Sequence, residues 1–140
     1  MNNTRIGVEA ESSRHRVSPA EHDARRPAAA ARRCRIDAAL VKLGLGAEHL
    51  ATMRPFFDEH GALTQIPMQR TKRLVLLDLL SQRFLPGQLY SEARVNLILG
   101  QFNSDWAALR RYLVDEDFLG RRDGFYWRSG GTFDIGDNST

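Results

Sequence analysis

Residues 104–128 read SDWAALRRYLVDEDFLGRRDGFYWR, and the reading of this stretch decides the fold. Trp106, Leu109, Leu113 and Glu116 recur at the spacing of one helical stripe with Tyr112 at its edge, and Asn103 or Ser104 stands where a side-chain oxygen caps a first turn. The pattern predicts a helix to about Asp117. Leu119 to Arg122 and Phe125 to Arg128 then read as two short strands around Asp123-Gly124, a dipeptide that supplies the positive φ angles of a tight hairpin turn. Extended chain places Phe125 and Trp127 on one face and Tyr126 on the other, and one of those faces belongs to the core.

Upstream, Ser91 is placed to cap a helix carrying Val95, Leu97, Ile98 and Leu99, after a turn at Pro86-Gly87. From Gln69 to Phe84 the residues Leu74, Leu77, Leu80 and Phe84 form a stripe that Val75, Leu76 and Leu79 widen, which predicts a central helix. Residues 61–67 alternate Leu63 with Gln65 and stop at Pro67, so they read as one short strand. Strand, three helices and hairpin over 56–128 predict an α+β fold, a small winged-helix-like domain whose short strand lies beside the hairpin wing. Its second and third helices would form the helix-turn-helix.

Two short helices precede this domain across 32–55, because Ile36, Leu40 and Leu43 repeat before Gly44 and Leu50, Met53, Phe56 and Phe57 resume after Gly46. Residues 1–31 hold few large apolar groups beyond Ile6, Val8 and Val17, with Pro19 and Pro27 among them, and read as a disordered basic tail. Residues 129–140 are glycine-rich and polar apart from Phe133 and Ile135, and read as a flexible C-terminal tail.

At 140 residues the chain has room for one modest core, and 42% hydrophobic with 26% charged residues is a globular composition. The net charge of +3 is unevenly placed. Eight arginines face four acids in residues 1–35, whereas residues 36–140 carry twelve basic and thirteen acidic groups. Any affinity of the domain for phosphate must therefore come from local clusters rather than from the total. Cys34 is the only cysteine, which rules out an intramolecular disulfide and a thiolate zinc site and fits a reducing, cytoplasmic setting. The longest apolar run, 74–80, is interrupted by Asp78 and flanked by Arg73 and Arg83, so no membrane span is expected.

Catalysis finds no support in the residues. His15, His22, His49 and His60 are scattered, no glycine-rich phosphate loop or metal-ligand spacing occurs, and Cys34 has no adjacent histidine base. The reading is a non-enzymatic protein with no cofactor and no metal.

The candidate interface is basic. Arg70, Lys72 and Arg73 open the first domain helix, Arg121, Arg122 and Arg128 decorate the wing, and Arg111 projects opposite the Trp106/Leu109/Leu113 stripe, with Ala107 and Ala108 leaving room for a partner. Arg110, at the margin of that stripe, reads as structural and paired with a carboxylate such as Glu92, while Trp106 and Trp127 read as packing residues. Asp105 at the helix start would repel a phosphate and favours a cap instead. The leading expectation is a nucleic-acid-associated accessory transcription regulator, with DNA ahead of RNA, docking through the third helix and wing. The alternative is a protein-interaction module in a regulatory or translation-related complex.

The segments FFDEHGALTQIP, TKRLVLLDLL, RFLPGQLYSEARVN, LRRYLVDEDFLGR and DGFYWR together resemble the bacterial domain-of-unknown-function family numbered twenty eighty-seven. The resemblance rests on Gln65-Ile66-Pro67, Lys72-Arg73-Leu74, Pro86-Gly87, Tyr90 with Glu92 and Asn96, Arg110-Arg111 and Tyr126-Trp127-Arg128. Members stand alone or behind ArsR-like helix-turn-helix domains, so the resemblance implies a cytosolic regulatory context and transfers no reaction. Residues 1–55 are too short and polar to supply such an upstream domain.

Overall fold

A computed structural model describes the backbone of residues 19–132 and the side chains of residues 26–132. The chain divides into two compact units at 34/35. In the first, the described backbone is helical from Pro19, part of α1 (Pro19–Leu43), with Pro27 inside it and exposed side chains at 26–34. Residues 19–31, expected as part of an unstructured tail, are thus helical, in keeping with the helix propensity of Ala28 to Ala31. The remaining residues of that tail, 1–18, and positions 133–140 lie outside the described residues.

The second unit opens on the last turns of α1, where Ile36 and Leu40 enter the core. Gly44 N and Leu45 N return to Val41 O and Leu40 O and close this helix. A single-turn α2 (Leu50–Met53) follows, flanked by 3₁₀ turns at Ala47–His49 and Arg54–Phe56. Arg54 fastens it to α1 through two bonds to Asp37, of 2.7 and 3.0 Å.

The strand expected at 61–67 is instead a single bridge between Phe57 and Leu63. Asp58 Oδ1 accepts from the amides of His60 (2.8 Å) and Ala62 (2.9 Å), and Leu63 N donates to the distant Phe102 O, so these amides are not available to a ladder. The short strand of the sheet lies further on. After α3 (Arg70–Ser81), which buries Leu76, Leu77, Leu79 and Leu80, and the turn at Pro86-Gly87, β1 (Tyr90–Ser91) pairs with the hairpin. Ser91 also caps α4 (Glu92–Gly100) by accepting from Arg94 N at 3.1 Å.

α5 (Trp106–Asp115), β2 (Leu119–Arg122) and β3 (Phe125–Arg128) fall where the sequence pattern puts them. Asp123 and Gly124 both adopt positive φ at the hairpin tip. The sheet is antiparallel in order β1-β3-β2, and the whole is α+β, with five α-helices and three strands among the described residues. The core joins Leu76, Leu80 and Phe84 to Val95, Leu99, Leu109, Leu113, Leu119 and Tyr126. No helix among the described residues is long and apolar enough to cross a membrane.

Candidate functional site

Alternation along β2 and β3 decides which side chains the hairpin offers. Tyr126 and Arg128 point into the core beside Leu119, whereas Phe125 (47% exposed) and the half-buried Trp127 lie on the other face. Trp127 is held there by its cross-strand partner Gly120, whose missing side chain leaves the indole its place: a Cβ on Gly120 would sit 2.3 Å from Trp127 Cε2.

Arg128 is consequently not part of a basic rim, contrary to the sequence expectation. It is buried and its guanidinium donates to Gly130 O (2.9 Å), Phe84 O (3.4 Å) and Thr132 O. Burial pushes its pKa below the usual arginine value, with Asp78 acting in the opposite direction.

On α5, Asp105 caps the helix by accepting from Ala108 N, and its own amide donates to Asn103 Oδ1 at 2.8 Å. Leu109 and Leu113 are fully buried. Trp106, expected with them, is 36% exposed, because it lies at the first turn against Gly100 and the Arg110 guanidinium, 5.7 Å from its ring. Arg111 is exposed, with no hydrogen bond or ion pair among the described residues, and shares the outer face with Ala107, Ala108 and Asp115.

Arg110 is tied inward as the sequence suggests. It reaches Glu92 at 3.5 Å, donates to Asn96 Oδ1, and so joins α5 to α4. The Tyr126 hydroxyl donates to Glu92 Oε1 at 3.3 Å, and the Arg121 guanidinium lies 5.7 Å from the Tyr126 ring. Burial raises the Tyr126 pKa while Arg110 and Arg121 oppose it. Trp106, Arg110, Glu92, Tyr126 and Arg121 therefore form one chain of contacts from the start of α5 to the hairpin tip. Arg122, on the opposite face, is exposed and 3.9 Å from Asp123.

The start of α3 flanks the other side of α5. Arg73 lies 4.5 Å from the Tyr112 ring and donates to Met68 O (2.9 Å) and Pro67 O (3.3 Å). Arg70 forms a two-pronged pair with Glu116, at 2.9 and 2.7 Å. Lys72 is exposed and has no partner among the described residues. Of the seven basic positions expected at the interface, Arg111, Lys72, Arg121 and Arg122 remain outward, Arg70 is compensated, Arg73 is half committed to the fold and Arg128 is enclosed.

The hydrogen bond from Arg70 holds the Glu116 carboxyl below its usual pKa. A depressed carboxylate stabilises the fold above its unfolded pKa, and that contribution disappears as pH falls through the folded value. Glu116→Gln should therefore lower the urea midpoint slightly at pH 7, the pair being exposed on the Arg70 side, and the gap to the parent should close in acid. Urea titrations of both proteins at neutral and acidic pH measure this.

The sequence did not reveal a groove between α4 and α5 lined by Ala93, Asn96, Leu97, Gly100, Gln101 and Trp106, in which Leu97 is 64% exposed. The signal was present, since Ala93, Leu97 and Gly100 recur at helical spacing on a face that Val95 and Leu99 leave outside. No cluster of His, Cys, Asp and Glu with metal-binding geometry occurs among the described residues.

Residues 62–128 match the family described as uncharacterized protein conserved in bacteria (DUF2087). This stretch, just under half of the chain, is similar to the DUF2087 domain. The match takes in α3 to β3 and every candidate interface residue, and leaves α1 and α2 outside it. No curated protein and no solved structure matches the chain.

Proposed function

We propose that the DUF2087-like domain of this chain is a non-catalytic winged-helix module that binds the sugar-phosphate backbone of nucleic acid, duplex DNA ahead of RNA. In this reading it acts in the cytoplasm as an accessory transcription regulator, docking through α5 and the hairpin. The order helix, strand, helix, helix, hairpin, with β1 beside β3, supports the winged-helix reading, in which α4 and α5 are the helix-turn-helix. The observation that carries the proposal is Arg111: an exposed arginine without a partner among the described residues, one helical turn from Ala107 and Ala108 on α5. Arg121 is linked to α5 through Tyr126 and Glu92, so helix and wing offer their charges from one connected frame. Asp105 and Asp115 stand at the two ends of α5 and disfavour phosphate there, which limits the contact to the middle of the helix and the hairpin tip.

Mobility shift on duplex DNA and on structured RNA tests this. The parent should bind at low salt, and Arg111→Glu should weaken duplex binding by about tenfold while leaving the circular dichroism spectrum unchanged. Absence of binding to either nucleic acid at low salt would remove the proposal.

The exposed groove around Leu97 favours a second reading, a protein-interaction module in a regulatory or translation-related complex. A nuclease-resistant stoichiometric partner, released by Leu97→Asp and retained by Arg111→Glu, would select it over the first.

A further inference from the structure

α4 buries Val95 and Leu99 but turns Leu97 outward, between the small residues Ala93 and Gly100 on the same side of the helix. Leu89, just before β1, is 63% exposed. Trp106, at the first turn of α5, rests on Gly100, where a Cβ would lie 3.4 Å from its Cδ1. Two open hollows of about 470 and 560 Å³ border Ala93 and Leu97, the first reaching to Leu89 and the second to Gly100 and Trp106. Covering such a strip removes apolar area from water.

The charge along the strip has one sign. Arg94 is the only charged side chain lining either hollow, and it is exposed with no side-chain partner among the described residues. The nearest acids in sequence are engaged elsewhere, Glu92 by Arg110 and Tyr126, and Asp105 by the Ala108 amide. A two-fold-related second copy would set the strip against itself, bringing Arg94 and no carboxylate to an interface that has to be self-complementary. A nucleic acid would meet a single cation where every neutralised phosphate needs its own.

We propose that this strip holds an amphipathic helix of a partner protein, apolar on one face and carrying a carboxylate at the edge of that face for Arg94. The inference rests on the second reading above, the interaction module, and specifies its site and the chemistry of its partner. Ala93 and Gly100 are seven positions apart, about 10.5 Å along the axis of α4, so apolar side chains seven apart on the partner reach the hollows on either side of Leu97. The small side chains at 93 and 100 let the two helices approach closely. Arg111 lines neither hollow, so the surface assigned to nucleic acid stays open.

NMR titration of the isotope-labelled full chain with synthetic amphipathic helices of about 15 residues tests the proposal. One peptide carries glutamates beside its leucine face, a second carries lysines there, and a third has its leucines scrambled. The glutamate peptide should move the amide signals of Ala93, Leu97 and Gly100 and the indole N–H of Trp106, and the other two should bind more weakly by about fivefold or more. Leu97→Asp should abolish these shifts and Arg94→Glu should reverse the order of the two charged peptides, with circular dichroism unchanged because both residues are exposed. Equal affinity for the glutamate and lysine peptides, or shifts confined to other residues, overturns the proposal. Trp106 signals that move with protein concentration in the absence of peptide overturn it too, because a second copy then covers the strip. A nuclease-resistant stoichiometric partner retained by both Leu97→Asp and Arg94→Glu overturns this site while leaving the interaction module standing.

Discussion

Arg128→Ala should destabilise the domain by about 3 kcal/mol, because it strands the Phe84, Gly130 and Thr132 carbonyls that the guanidinium now satisfies. That is a large part of the roughly 5–15 kcal/mol that holds a domain of this size together, and it corresponds to a fall of more than about 10 °C in melting temperature. The same residue read as a rim cation would behave in the opposite way, leaving melting untouched and weakening only the binding of a polyanion. Thermal melts of Arg128→Ala, and of Arg128→Lys as the charge-retaining control, separate the two. Lysine keeps the charge but lacks the fork that reaches three carbonyls, so it should recover little.

The second large effect is at Gly120. A valine there places its Cβ within 2.3–2.5 Å of three atoms of the Trp127 indole, so either the ring leaves the sheet or β2 and β3 separate locally. Overpacking of this kind costs about 1–3 kcal/mol. Gly120→Val should lower the denaturation midpoint and raise the exposure of the Trp127 indole, whereas Gly120→Val combined with Trp127→Ala should regain most of the loss. Intrinsic fluorescence during urea unfolding reads both, and equal midpoints for Gly120→Val and the parent would show that the indole does not rest on Gly120.

These two positions also mark where the sequence stopped being informative. The bounds of α5 and of the hairpin were legible because every determinant is local: an aspartate at the cap, leucines four apart at 109 and 113, and Asp123-Gly124 at the tip. The inward role of Arg110 followed from the same helical reasoning, and the structure supplies its carboxylate partner, Glu92. Which face of β3 turns inward was not legible. Phe125 and Trp127 carry more apolar area than Tyr126 and Arg128, but the space for Trp127 comes from a glycine on the neighbouring strand, and the partners of Arg128 come from residues 84, 130 and 132.

The short strand was misplaced for a related reason. Two residues, Tyr90 and Ser91, show no period, whereas residues 61–67 alternate loosely, but Asp58 takes the amides of His60 and Ala62. The candidate interface shrank because Arg70 finds Glu116 forty-six positions away, a pairing no local pattern announces. What survives is a smaller set with a clearer geometry: Arg111 at the middle of α5, Arg121 and Arg122 at the hairpin tip, and Lys72 at the start of α3.

The most direct test is the salt dependence of duplex DNA binding, followed by fluorescence anisotropy for the parent and for Arg111→Ala. Each phosphate contact contributes about 0.9 to the slope of log affinity against log salt, so the variant should show a slope shallower by about that amount, with its fold intact. A parent that fails to bind at low salt, or a variant with an unchanged slope, would contradict the role assigned to α5.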